Sequence, residues 1–211
     1  MVKPIVIRVD PLKPEKNRLL RAAEAARKGM LVVYPTDTVY GLGTNPFDEK
    51  AVLRVYEAKK RPPTRPLPVL VSGPEAAENL VKVTEKARIL MEEFWPGPLT
   101  IVLPAKPGVP RALHAGTGKI GVRMPNHRVA LLLIELAGGA LVGTSANLHR
   151  HEPPRTAEEA LRQLNGAVDV VVDAGPAPGG IPSTVVELEN GKVKLIREGP
   201  IKLRDIEARL I

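Results

Sequence analysis

Four cations, Lys59, Lys60, Arg61 and Arg65, leave the end of an expected helix and enter a loop braced by Pro62, Pro63 and Pro66. Such charges can simply complement a helix C-terminus while solvated. They can also clamp phosphate, with lysine as a point charge and arginine as a bidentate fork. The prolines favour the clamp, because they hold the cations in place. A second segment, Pro35-Thr36-Asp37-Thr38-Val39-Tyr40-Gly41-Leu42-Gly43, directly follows the apolar run Leu31 to Tyr34. Ligands of open α/β sheets sit at such strand ends. The hydroxyls of Thr36, Thr38 and Tyr40 suit a small polar substrate, and Gly41 and Gly43 admit close backbone approach. The same residues also suit a turn whose side chains satisfy local backbone groups. Pattern alone leaves both readings open.

Arg123 lies among apolar strand residues in Gly121-Val122-Arg123-Met124-Pro125. Pointing inward, it needs an anionic partner, either an internal aspartate or a substrate carboxylate. Val142-Gly143-Thr144-Ser145-Ala146-Asn147 is another strand ending in small polar groups, and Pro182-Ser183-Thr184 and Ile196-Arg197-Glu198 complete the set. Taken singly, each is more often a turn than a site.

Several other matches fail on context. Gly116-Thr117-Gly118-Lys119-Ile120-Gly121 fits a dinucleotide fingerprint by letter, but a strand is expected after it where a helix is required. A Walker A reading of Gly118-Lys119 lacks its first glycine and its hydroxyl residue. His149 and His151 have only Glu152 nearby, too little for a metal site, and no metal-ligating residues are assigned. Ser145 is not in a nucleophile elbow. With no cysteine in the chain, thiolate catalysis and disulfides are excluded.

Short β-branched runs alternating with helical patterns position these groups and indicate α/β architecture. Strands are expected at 5–9, 31–34, 67–71, 99–103, 120–124, 140–142, 168–172, 184–188 and 193–197. Helices are expected at 15–28, 48–60, 75–81, 85–94, 128–137 and from the capping box at Thr156 to Gly166. The Pro/Gly-rich stretch 173–182 reads as a loop within one domain spanning 1–211, since only about 30 residues follow it.

The 211 residues carry 31 Lys and Arg against 23 Asp and Glu, a formal charge of +8. This favours a polyanionic partner such as a nucleotide or RNA. One Trp, three Tyr and two Phe make a poor base-stacking platform for single-stranded RNA. No apolar run approaches the roughly 18 residues of a membrane span, and no targeting signal stands at the start. A cytoplasmic protein is expected, with no membrane partner.

Together and in order, these segments resemble the YrdC-like family, the threonylcarbamoyl-AMP synthases of tRNA modification. The resemblance rests on the Pro35-to-Gly43 string and on Lys59 and Arg61. It continues through Trp95-Pro96-Gly97-Pro98-Leu99-Thr100, Val122-Arg123-Met124-Pro125, Thr144-Ser145-Ala146-Asn147 and Ser183-Thr184-Val185-Val186. It implies a single α/β domain with a twisted mixed sheet and flanking helices around a deep, positively lined cavity. It also implies a nucleotidyltransferase reaction joining L-threonine, bicarbonate and ATP, with Mg²⁺, into threonylcarbamoyl-AMP and pyrophosphate. A downstream tRNA threonylcarbamoyl transferase would then use the product. Thr36, Arg123 and Ser183 would hold threonine. Lys59, Arg61, Lys119, Ser145, Asn147 and Arg197 would hold the nucleotide, with Lys59 and Arg61 catalytic.

Two departures stand out. Leu148, His149 and Arg150 follow Asn147 where relatives often continue to Ser-Gly, and Arg65 stands where some have histidine. The chain also resembles the short form of the family, without the extra C-terminal domain. Weakly bound tRNA or RNA is a further expected partner. The competing readings are a non-catalytic module that binds double-stranded RNA or tRNA and a carbamoyl-phosphate-handling domain of hydrogenase maturation proteins.

Overall fold

The structure, a computed structural model, describes residues 3–164, 166–189 and 191–210. Along the chain run β1 (Ile5–Arg8), α1 (Lys16–Arg27), β2 (Val32–Tyr34), β3 (Gly41–Gly43), α2 (Glu49–Lys59) and β4 (Val69–Val71). Next come α3 (Pro74–Glu78), α4 (Glu85–Phe94), β5 (Leu99–Pro104), α5 (Arg111–His114), β6 (Lys119–Arg123) and α6 (Arg128–Leu136). The rest are β7 (Ala140–Val142), β8 (Thr144–Ser145), α7 (Ala157–Gln163), β9 (Val170–Asp173), β10 (Thr184–Glu189), β11 (Lys192–Arg197) and α8 (Leu203–Glu207).

The strands make two mixed sheets where the sequence suggested one. The first has the order β1-β9-β2-β3-β8 and the second β11-β10-β5-β6-β4-β7. Strand alternation explains how both are buried. Val33, Leu42, Val69 and Val71 point into one hydrophobic cluster, which also takes in Val52 and Val55 of α2. Their neighbours Val32, Tyr34 and Leu70 point the other way, into a second cluster beneath α1 and α6. Near-continuous apolar strands are what sheets covered on both faces require.

Local chemistry sets the helix limits. Asp48 accepts the Ala51 N–H at 3.1 Å and opens α2, whose end is closed by Lys60 at φ 49°. Thr156 accepts the Glu159 N–H at 3.1 Å, and the Glu159 carboxylate reaches back to the Arg155 N–H at 2.6 Å. The expected strands all appear, within one or two residues. Missing from the sequence reading are β3, β8, α5 and α8. β3 consists of Gly41-Leu42-Gly43 because the Tyr34 ring lies against it. A Cβ at 43 would stand 2.8 Å from that ring and 2.5 Å from the Val142 carbonyl oxygen. Among the described residues no helix is long and apolar enough to cross a membrane.

Candidate nucleotide and amino-acid site

One face of the second sheet forms the floor of a cavity of about 630 Å³. Alternation on β6 turns Ile120 and Val122 into the core and Lys119, Gly121 and Arg123 towards the cavity. Thr100 and Val102 of β5 and Val185 and Glu187 of β10 share that face. The register aligns them in rows: Thr100 beside Val185 beside Arg197, then Gly121 beside Val102 beside Glu187. Gly121 keeps the floor open, since a Cβ there would stand 2.8 Å from Thr100 Cγ2.

The loop after β2 forms one wall. Thr36 Oγ1 lies 2.9 Å from Thr38 Oγ1, donates to Val39 O at 2.7 Å and accepts the Thr38 N–H at 3.1 Å. The hydroxyls satisfy the turn, as one of the two sequence readings expects, and Thr36 and Thr38 also line the cavity. Arg123, 5% exposed, donates from Nε to Gly97 O at 2.9 Å and from Nη1 to Thr38 Oγ1 at 3.1 Å. Its Nη2 pairs with Asp37 Oδ1. An internal aspartate thus takes one edge of the fork, while the remaining N–H groups stay available to a ligand.

Arg197 Nη2 reaches Ser183 O at 2.7 Å and Ser183 Oγ at 3.1 Å, and that hydroxyl lies 2.8 Å from Thr100 Oγ1. Arg61 Nη2 donates to Pro66 O at 2.9 Å, while its buried Nε–H has no partner among the described residues. Among the described residues no carboxylate pairs with Arg61, Arg65 or Arg197, all of which line the cavity. Burial, followed by repulsion from Arg123 and Arg61, makes Arg197 more acidic than an ordinary guanidinium. Burial also lowers the pKa of Arg61, and Arg65 adds to the effect. A cluster of like charges held together without counterions is built for an anion.

Three sequence-predicted residues are placed differently from the rest. Lys59 is 2% exposed and does not line the cavity. Its ammonium donates to the carbonyl oxygens of Ser145 and, at 2.7 Å, Asn147, and burial pushes its pKa down to about 7. Asn147 also faces away from the cavity, its Nδ2 donating to Leu148 O at 2.8 Å and His151 O at 2.7 Å. These two residues therefore fix the strand and loop that carry Ser145, which does line the cavity. Lys119 lines it as well, but its ammonium is taken by Glu187 at 2.5 Å and Glu189 at 2.8 Å, which raise its pKa to about 12. Thr36, Arg61, Arg123, Ser145, Ser183 and Arg197 meet in the one cavity as expected. The sequence reading missed Thr100 and Glu187, although period-2 alternation along β5 and β10 was the signal that would have found them.

Among the described residues no three His, Asp or Glu side chains are grouped to ligate a metal, and Asp37 is occupied by Arg123.

A model of the Sua5_yciO_yrdC family, described as telomere recombination, matches residues 24–199. The chain belongs to this family. It is 41% identical over 194 residues to the threonylcarbamoyl-AMP synthase of Pyrococcus abyssi, covering 92% of this chain and 57% of that protein. It is 39% identical over 200 residues to a putative threonylcarbamoyl-AMP synthase of Mycobacterium tuberculosis, covering 93% and 92%. The chain therefore spans little more than half of the Pyrococcus abyssi relative but nearly all of the mycobacterial one. Among solved family members, Pyrococcus abyssi Sua5 complexed with L-threonine superposes with a TM-score of 0.93 at 40% identity, covering 97% of this chain and 60% of that one. Escherichia coli YciO matches with a TM-score of 0.86 at 28% identity, covering 98% and 100%.

Proposed function

We propose that this protein is a threonylcarbamoyl-AMP synthase acting on L-threonine, bicarbonate and ATP. The carrying observation is the convergence of Arg61, Arg123 and Arg197 with the hydroxyls of Thr36, Thr38 and Ser183 in one cavity. The names of the Pyrococcus abyssi and Mycobacterium tuberculosis relatives, and the threonine complex of the former, support the reading.

In the proposed reaction, the threonine amine and bicarbonate give a carbamate and water. A carbamate oxygen then forms a bond to the α-phosphorus of ATP as the bond to pyrophosphate breaks. The products are threonylcarbamoyl-AMP and pyrophosphate. No covalent protein nucleophile is needed, so the work of the chain is orientation and charge neutralisation. Arg61 and Arg197 face the phosphates, and their unpaired charge is offset as negative charge builds on the leaving group. The remaining N–H groups of Arg123 take the threonine carboxylate, with Thr36 and Ser183 around the side chain. Mg²⁺ enters as part of the substrate MgATP. Lys59 acts by holding Ser145 in place and does not touch phosphate. The product suits a downstream transferase that passes the threonylcarbamoyl group to tRNA in the cytoplasm.

The test is pyrophosphate release with each substrate omitted in turn. Release that requires threonine, bicarbonate and ATP together is expected. Absence of release, with RNA affinity that collapses as salt rises, would replace the enzyme by an RNA-binding module.

A further inference from the structure

The cavity floor changes charge along its length. At one end four arginines, Arg61, Arg65, Arg123 and Arg197, are opposed among the described residues by Asp37 alone. Two residues further along β10 from Val185, the neighbour of Arg197, the face carries Glu187. Residues two apart on a strand lie about 7 Å apart. Here the Lys119 ammonium is held by two carboxylates, with the exposed Lys194 opposite Glu187 across the β10–β11 pair. Glu187 is the inward member of the trio, its side chain 13% exposed and part of the cavity lining, whereas Glu189 is 54% exposed and outside it. Only Oε1 of Glu187 is engaged by Lys119, at 2.5 Å. A carboxylate offers about four acceptor sites, so most of its capacity remains open. Beside it stand Val102, Val185 and the half-exposed Ile196, which supply an apolar wall.

A cationic end, a carboxylate one strand step away and an apolar flank together match phosphate, sugar hydroxyls and base. We propose that Glu187 is the ribose acceptor of this site, binding the 2′- and 3′-hydroxyls of ATP, and that Lys119 is the residue that positions it. The assignment rests on the ATP-dependent reading above and extends it to a residue and a selectivity. It also gives Lys119 a part in nucleotide binding through Glu187 in place of a direct phosphate contact.

The test is equilibrium binding of ATP and of 2′,3′-dideoxy-ATP, with Mg²⁺, to the wild type, Glu187→Ala and Glu189→Gln. The wild type should bind ATP at least tenfold more tightly than the dideoxy analogue. Glu187→Ala should bind the two within about twofold of each other, with its affinity for the analogue unchanged from wild type. That analogue lacks the hydroxyls in question, so its binding reports that the variant cavity is intact. Glu189→Gln should keep the wild-type ratio. A wild type that binds both nucleotides equally, or a Glu187→Ala variant that keeps the wild-type ratio, overturns the assignment while leaving the ATP reading standing. Loss of analogue binding in Glu187→Ala also overturns it, by showing that the carboxylate serves the fold. Failure of the wild type to bind either nucleotide refutes the ATP reading itself.

Discussion

Replacing Lys59 by methionine removes a buried charge while keeping most of the side-chain volume. Lys59 donates to the Ser145 and Asn147 carbonyls, and among the described residues no carboxylate pairs with it. Burial lowers its pKa from 10.5 to about 7, so between these values the unfolded chain holds a proton that the native state has released. Stability must then rise with pH, by up to 1.36 kcal/mol per unit. Integrated from pH 7 to 9, the gain is about 2 kcal/mol. Below pH 7 the full cost of the buried ammonium is present and the slope vanishes; above about 10.5 the cost is gone. Lys59→Met abolishes this dependence. It also orphans two carbonyl oxygens, at about 1–3 kcal/mol each, against which stands the removal of a desolvated charge. The two effects are of similar size, so the variant should fold. Urea denaturation at pH 7, 8 and 9 should show the wild type gaining about 2 kcal/mol more than Lys59→Met, because other titrating groups cancel in the difference. Pyrophosphate release should fall about 100-fold as Ser145 loses its anchor. Parallel stability curves would mean that the two carbonyls keep the ammonium charged throughout this range, and the reasoning from burial would fail.

Arg123→Lys keeps the charge but cannot reach Gly97, Thr38 and Asp37 together, so the threonine concentration for half-maximal rate should rise at least tenfold, more than that for ATP. Unchanged threonine dependence in initial-rate assays would remove Arg123 from the amino-acid site. Gly43→Ala sets a Cβ 2.5 Å from the Val142 carbonyl oxygen and 2.8 Å from the buried Tyr34 ring, neither of which is free to move. A loss of about 2 kcal/mol is expected, or roughly 4–8 °C in Tm by calorimetry. An unchanged Tm would show that β3 tolerates a side chain and that the Tyr34 contact is slack.

Much of this was legible where the controlling interactions are local. The caps at Asp48 and Thr156 are side chains bonding backbone three residues away, and the inward face of β6 follows from period 2 alone. β3 was not legible, because two glycines in three residues argue against a strand, and only the distant Tyr34 ring makes glycine necessary. α5 and α8, of four and five residues, are too short to show helical periodicity. The division into two sheets depends on which strands pair across the chain, and no local pattern records that. Lys59 was read as a phosphate contact because it opens a proline-braced run of cations and matches the family resemblance. Its inward turn is decided by the Ser145 to Asn147 segment, 86 to 88 residues later. The Thr36 to Gly43 loop was ambiguous because its two readings are not exclusive: residues whose hydroxyls close a turn can still line a cavity.

The two ends of the cavity illustrate opposite uses of buried charge. Lys119 is neutralised by Glu187 and Glu189, and its pKa rises, as expected for a cation given partners. Among the described residues Arg61 and Arg197 have no such partners, and their pKa values fall, chiefly through burial and further through the cations beside them. A chain folding for stability alone would place a carboxylate beside each guanidinium or leave it in water. Here the guanidiniums are instead tethered to carbonyl oxygens, those of Pro66 and Ser183, which fix their direction without cancelling their charge. Backbone acceptors orient a cation while leaving its field intact, so the attraction for an anion is not spent before the anion arrives. The Lys119, Glu187 and Glu189 trio at the other end lacks that field, so in the proposed reaction the phosphates of ATP lie at the arginine end.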